Sequence, residues 1–345
     1  MDSHASSQIK LIIVKVLFII SIICSTGECG TKEAYAYLKQ NQETIINALS
    51  QCHPPESPLF NFPCNFYAMN PIKTWIESSS VNDSIIELTV REFLRHIIQI
   101  SSLLNNRRTG IISDSISITF LTELIKGCSE ANEKEHGFAS EAAREVISSV
   151  SYPALHKYKN QINAAVMNSC LEPHLKKRVR IFTFPNESER QALLKERFHF
   201  EDVPLKARLG DSVAIEGLRA RYQNAKYFAD KESAIKQIFV SGQTELIKMV
   251  LADFNNPMYD VFVRGTAPPC TGRSTKFETL QGLRRMHPEE KLINEEFLEM
   301  TFNFEASPEQ VRQYLKSVTK WMERKYAMKI ENKSKVTTFG RICIR

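Results

Sequence analysis

Apolar residues return every three to four positions in segment after segment of this chain, and that spacing commits it to helices packed on helices. Between 83 and 105, Ile85, Ile86, Leu88, Phe93, Leu94, Ile97, Ile98, Ile100, Leu103 and Leu104 make a broad helical stripe. Residues 31–50 place Ala34, Tyr37, Leu38, Ile45, Ala48 and Leu49 on one face, with Thr31 as the cap. Further helices are expected at 114–126, closed by Gly127, and at about 138–150 and 154–171 on either side of Pro153. Ser307-Pro308-Glu309-Gln310 has capping-box spacing, with Pro308 where a missing N–H costs nothing. The helix it opens carries Val311, Tyr314, Leu315, Val318, Trp321 and Met322 on one face. Short strand-like runs appear at 259–263 and 335–344. The expected fold class is therefore mainly α: a helical N-terminal domain, then a helical C-terminal region with a few short strands.

The first thirty residues follow a different rule. An apolar run at 11–23 follows Lys10 and carries Lys15, and small or polar residues Ser25, Thr26 and Gly27 come after it. A spanning helix needs about 20 apolar residues, so the segment reads as a signal peptide cleaved near Gly27 or Gly30. The rival reading is a buried first helix. No other apolar stretch reaches spanning length, so no transmembrane segment is expected in the mature chain, and a secreted protein follows.

Cysteine use fits an oxidising route. Of the 8 Cys, cleavage after Gly30 leaves Cys52, Cys64, Cys128, Cys170, Cys270 and Cys343, an even set suited to disulfides whose pairing the spacing does not fix. Cleavage after Gly27 retains Cys29 as well. Cys52 and Cys64 flank the Pro-rich segment His53-Pro54-Pro55-Glu56-Ser57-Pro58, which a local bridge would clip. Asn82, Asn186 and Asn332 each open an Asn-X-Ser glycosylation triplet.

A change of texture divides the chain. Pro173, the run Lys176-Lys177-Arg178-Val179-Arg180, a β-like Ile181-Phe182-Thr183-Phe184 and Pro185 read as a boundary. The expected organisation is a signal at 1–30, a helical disulfide-containing domain at 31–172, a basic linker at 173–187 and a helical C-terminal domain with a basic tail at 188–345. Ser188-Glu189-Arg190-Gln191 supplies a capping box at the start of the last part.

Within that part, Ser233-Ala234-Ile235-Lys236-Gln237-Ile238-Phe239-Val240-Ser241-Gly242-Gln243-Thr244-Glu245-Leu246-Ile247-Lys248-Met249-Val250-Leu251 has a short helix, a glycine turn and an amphipathic second helix. Ala207 to Leu218 has the same plan, and Gly210 stands 32 residues before Gly242. Gln281-Gly282-Leu283-Arg284 echoes Glu216-Gly217-Leu218-Arg219. The segment 203–256 resembles degenerate ankyrin repeats, whose period is about 33, with a third unit conceivable to 286. The family's Thr-Pro-Leu-His tetrapeptide stands as Ser233-Ala234-Ile235-Lys236 in one unit and is missing from the other. The resemblance implies stacked helix pairs that bind proteins. Helix-turn-helix pairs in an ordinary α domain explain the same residues, and ankyrin repeats are mostly intracellular.

Compact catalytic signatures are missing. With 12 Gly and none adjacent or one apart, neither GxGxxG nor a P-loop can be read. HExxH, CxxC, GxSxG and the calcium-loop pattern do not occur either, so no cofactor or metal is called for. Cys52-His53 and the cluster Glu289, Glu290, Glu295, Glu296 and Glu299 read as a disulfide loop and a solvated helix face. An enzyme with a dispersed site stays open, because its partners meet only in space.

Charge is more informative. The net of +6 is concentrated beyond 311, where ten Lys or Arg face only Glu323 and Glu331. Arg312, Lys316, Lys320, Arg324, Lys325 and Lys329 are candidate anion-binding residues; a lysine-coated helix surface is the alternative. The leading expectation is a secreted macromolecule-binding protein with a protein partner, followed by a secreted binder of polyanions or anionic surfaces through the 311–345 tail.

Overall fold

Apolar stripes become helices, and polar or proline-containing breaks cut them into more pieces than periodicity alone indicates. The computed structural model describes residues 29–50, 74–97, 112–128, 132–184, 186–199, 202–255, 275–293 and 308–331. Through them run α1 (Cys29–Gln40), α2 (Gln42–Ser50), α3 (Asp83–Arg95), α4 (Ile112–Lys126), α5 (Glu133–Ser148), α6 (Tyr152–Lys157), α7 (Lys159–Met167) and α8 (Pro173–Thr183). Next come α9 (Glu187–Lys195), α10 (Val203–Arg208), α11 (Ser212–Asn224), α12 (Phe228–Ser241), α13 (Thr244–Ala252), α14 (Thr275–Met286), a 3-10 turn (Lys291–Ile293) and α15 (Pro308–Tyr326). The protein is mainly α. No strand occurs among the described residues, which corrects the expected few short strands; the runs at 259–263 and 335–344 lie outside those residues.

The expected linker at 173–187 is largely α8. Its Leu175, Val179, Ile181 and Phe182 are buried, and the β-like run is its last turn. Three of the four cations that make this segment look like a solvated loop are paired instead: Arg178 with Asp202 at 2.9 Å, Lys177 with Glu196 at 3.7 Å and Arg180 with Glu189. Carboxylates further along the chain turn a charge run into a helix face. Two caps also differ. Asn186, not Ser188, starts α9, its Oδ1 accepting from the Glu189 N–H at 2.9 Å. Thr31 lies inside α1 and donates to Glu135 Oε1 at 2.5 Å.

Two apolar cores result, and the chain passes from one to the other at α10. The first joins α1 to α9 through aliphatic and small side chains, among them the fully buried Ala34, Ala139, Ala142, Ala143 and Ala165. Small residues let helix axes approach closely: a Cβ on Gly30 would lie 2.6 Å from the Gly127 Cα. The second, from Ala207 to Ile330, is built around Tyr222, Phe239, Phe254, Tyr314, Trp321, Met322 and Tyr326. Here Gly282 of α14 sits on the Phe239 ring of α12, where an added Cβ would fall 2.2 Å from Cγ.

The helix–glycine–helix pairs of the second core are α10–α11 and α12–α13. Gly210 (φ 89°) and Gly242 (φ 66°) take the left-handed conformation at their turns, and Gln243 Nε2 ties the second turn to the Ala207 carbonyl at 2.6 Å. Each turn also receives an arginine from the preceding pair or helix: Arg190 donates to the Leu209 carbonyl, and Arg208 to that of Val240 at 2.9 Å. Cations at helix C-termini satisfy carbonyls left without an intrahelical donor.

The same chemistry joins the two cores. Tyr152 of α6 donates through its hydroxyl to the Phe239 carbonyl at 2.8 Å. Guanidinium groups of Arg208 and Arg285 lie 4.4 and 4.5 Å from the Tyr152 ring centre, and Arg208 is also 4.4 Å from that of Phe182. Arg285 donates to the Ile147 and Val150 carbonyls, just where α5 ends. Burial pulls both guanidinium pKa values below the usual arginine range.

Candidate functional site

Two exposed basic features arise from this scaffold. The first is α15. Proline at its first position and apolar residues at helical spacing make a long amphipathic helix, and the buried Tyr314, Val318, Trp321, Met322 and Tyr326 lock one face into the second core. His287 closes over that face, its Nε2 3.0 Å from the Tyr326 hydroxyl and its ring edge-on to Trp321. Burial pushes Tyr326 up to about 12 and Tyr314 higher still, while it lowers His287.

The opposite face carries Arg312, Lys316, Lys320 and Arg324, each four residues from the last and all exposed. At 1.5 Å rise per residue the row spans roughly 18 Å. Arg312 is paired with Glu309 at 2.6 Å, and Lys325 reaches Glu289 at 3.7 Å. Lys316, Lys320 and Arg324 have no carboxylate within ion-pair distance among the described residues. Glu323, on the same helix, makes no ion pair with them, and its Oε1 accepts the Ile330 N–H at 2.9 Å. Lys329 is exposed beyond the end of the helix.

The second feature is a groove of about 530 Å³ between α8, the 196–199 loop and α10. Ile181, Leu205 and Phe198 give it an apolar wall, and Lys177, Arg178, Arg197, His174 and His199 surround them. The Lys177 ammonium lies 3.6 Å from the Phe198 ring centre and donates to the Arg197 carbonyl. Burial, reinforced by Lys206, lowers its pKa against the opposing pull of Glu196 and Asp202. Both groove carboxylates are engaged: Asp202 holds Arg178 at 2.9 Å and the His199 N–H at 3.2 Å, and Glu196 faces Lys177 and Arg180. Among the described residues, no Ser, Thr or Cys lines the groove.

Sequence reading marked the Lys176-Lys177-Arg178 run but missed the groove. Its second wall comes from Arg197, Phe198 and His199, a short loop with no periodicity, and only the fold of α9 brings it back over α8.

The other expected site residues divide by location. Cys128 and Cys170 lie at disulfide distance, with Cα atoms 5.5 Å apart, and join the end of α4 to the turn after α7. Cys52, Cys64, Cys270, Cys343 and Asn332 lie outside the described residues. Asn82 and Asn186 are exposed helix N-caps, whose Oδ1 atoms accept from the Ile85 and Glu189 N–H groups at 3.0 and 2.9 Å. Both Nδ2 atoms, where a glycan would attach, are without a hydrogen bond among the described residues. Among those residues, no group of three or more His, Cys, Asp or Glu could hold a metal ion, and no helix is long and apolar enough to cross a membrane.

Compared with known proteins, the chain matches no protein-family model, no curated protein and no solved structure. The functional reading rests on the geometry.

Proposed function

We propose that this is a secreted protein that binds an acidic macromolecule through the exposed face of α15. The observation that carries the reading is the row Lys316, Lys320 and Arg324, uncompensated among the described residues and held on a helix whose other face is fixed in the core. A fixed row loses less conformational freedom on binding than lysines on a flexible tail, and its summed field attracts polyanions. Arg312 and Lys325 extend the row at its ends with charges already shared with Glu309 and Glu289.

Secretion is supported by the opening apolar segment and by the Cys128–Cys170 pair, since disulfides persist in oxidising compartments. Cleavage at Gly27 leaves α1 whole, whereas cleavage after Gly30 removes its first two residues. The ankyrin-like reading of 203–256 is compatible with a protein-binding role, and its support is the two left-handed glycine turns 32 residues apart.

Retention on immobilised heparin tests the proposal. The mature protein is expected to elute at a salt concentration that falls clearly for a triple Lys316→Gln, Lys320→Gln, Arg324→Gln variant, because each neutralised contact removes released counterions. An unchanged elution position would reject α15 as the binding face.

A further inference from the structure

We infer that the groove between α8 and α10 is a binding site for a small amphipathic anion: a carboxylate or phosphate head on an aromatic or aliphatic body. The volume of about 530 Å³ lies within the usual range for small-molecule sites. Its lining combines apolar and cationic side chains. Ile181, Leu205 and the Phe198 ring supply its apolar lining, with the Lys177 ammonium 3.6 Å from the Phe198 ring centre. Arg197 and His199 stand exposed at the rim, and neither side chain has an acidic partner among the described residues.

The internal pairing explains why the groove selects an anion although two carboxylates line it. Asp202 and Glu196 are spent on Arg178, Lys177 and Arg180, so they hold the walls in place. The positive charge left over belongs to Arg197; Lys206, whose ammonium sits 5.5 Å from the Phe198 ring centre, is shared with Asp211 at 3.9 Å. The N-terminus of the eleven-residue α8 borders the same space through Pro173 and His174; its N-cap Glu172 makes no side-chain bond to the first-turn N–H groups, its carboxylate lying 2.9 Å from His174 Nδ1 instead. A helix start of this kind adds partial positive charge. Head and body would thus be recognised by different side chains of one cavity, and the site is independent of the α15 face.

Calorimetric titration of the mature protein with 1-naphthyl phosphate and 1-naphthoate, beside 1-naphthol and inorganic phosphate, tests the inference. At least one naphthyl anion is expected to bind at a single site, at least tenfold more tightly than naphthol or phosphate. Arg197→Gln, a change at an exposed side chain, is expected to weaken that binding about tenfold, while the α15 triple variant leaves it unchanged. The site is overturned if neither anion binds, if naphthol binds as well as the anions, or if Arg197→Gln has no effect. Loss of binding in the α15 variant would also overturn it, by moving the anion to that face. Heparin retention that survives Arg197→Gln separates failure here from failure of the α15 reading.

Discussion

The two cores solve the same packing problem with different materials. The first is mostly alanine, leucine, isoleucine and valine around an edge-on Phe93–Phe120 pair, and adds a covalent tie between Cys128 and Cys170. Its helices approach closely where the contacting residues are small, and its buried polar side chains are mostly short hydroxyls such as Thr122, Ser169 and Thr183, which donate to nearby backbone carbonyls. The second uses large aromatics with polar tips, so it must also bury the groups that satisfy them: Tyr222 donates to Asp253 at 3.1 Å, Lys231 donates to the Tyr222 carbonyl, and His287 meets Tyr326. Aromatic cores bury much area per residue, and each polar tip then makes a specific demand on its surroundings. The difference predicts that the first core responds most to loss of its tie, and the second to changes in charge and backbone.

Breaking the tie is expected to have the largest effect. The bridge spans a sequence separation of 42, and chain entropy puts its contribution at about 4 kcal/mol. A double Cys128→Ser, Cys170→Ser variant should lose most of that in chemical denaturation. The loss should appear in the exchange protection of α4 and α7 before that of α12 and α14. Uniform loss in both cores would show that they unfold as one unit.

Next comes the joint between the cores. Arg285→Ala leaves the Ile147 and Val150 carbonyls without their donor and uncovers Tyr152, at a cost of about 3 kcal/mol. Hydrogen exchange is expected to show α14 and α15 opening at lower denaturant than α5 and α8. Coincident opening would mean that apolar contact alone couples the cores.

A smaller effect of opposite sign is expected at the end of α15. Ala327 has φ 47°, and the Met328 N–H reaches back to the Glu323 carbonyl at 3.1 Å. Such an ending favours glycine, so Ala327→Gly should stabilise the second core by about 0.5–1 kcal/mol. A thermal midpoint that falls would contradict the strain at this residue.

The subtlest difference is in pH response. Burial lowers the Lys231 ammonium from 10.5 to about 8. Above about pH 8 the folded protein releases this proton while the unfolded chain still holds it, so stability contributed at this site rises with pH. Between pH 7.5 and 9.5, below the range in which the raised Tyr314 and Tyr326 act, the wild type should gain stability relative to Lys231→Met. Parallel curves for the two proteins would remove Lys231 from the account.

Helical class was legible in the sequence because the 3.6-residue period is local. So was α15, whose proline start, apolar face and i, i+4 cations can all be read along one segment. The turn glycines Gly210 and Gly242 were legible for the same reason: a left-handed turn between two helices leaves a residue-level mark. The 173–187 segment was misread because its cations were seen without Glu189, Glu196 and Asp202, the partners that pair with them. The groove was missed for a related reason, since Phe198 and Arg197 acquire meaning only when α9 returns them to α8.

By itself, then, the sequence determined the helical class, most of the amphipathic helices, the two glycine turns and which face of α15 is basic, all consequences of neighbours within a few residues. Tertiary structure alone decided that Cys128 meets Cys170, that Arg208 and Arg285 flank Tyr152, and that a basic run becomes one wall of a cavity. Those depend on pairings between residues far apart in the chain, selected by how whole helices bury their apolar faces, and no short window of sequence contains that information.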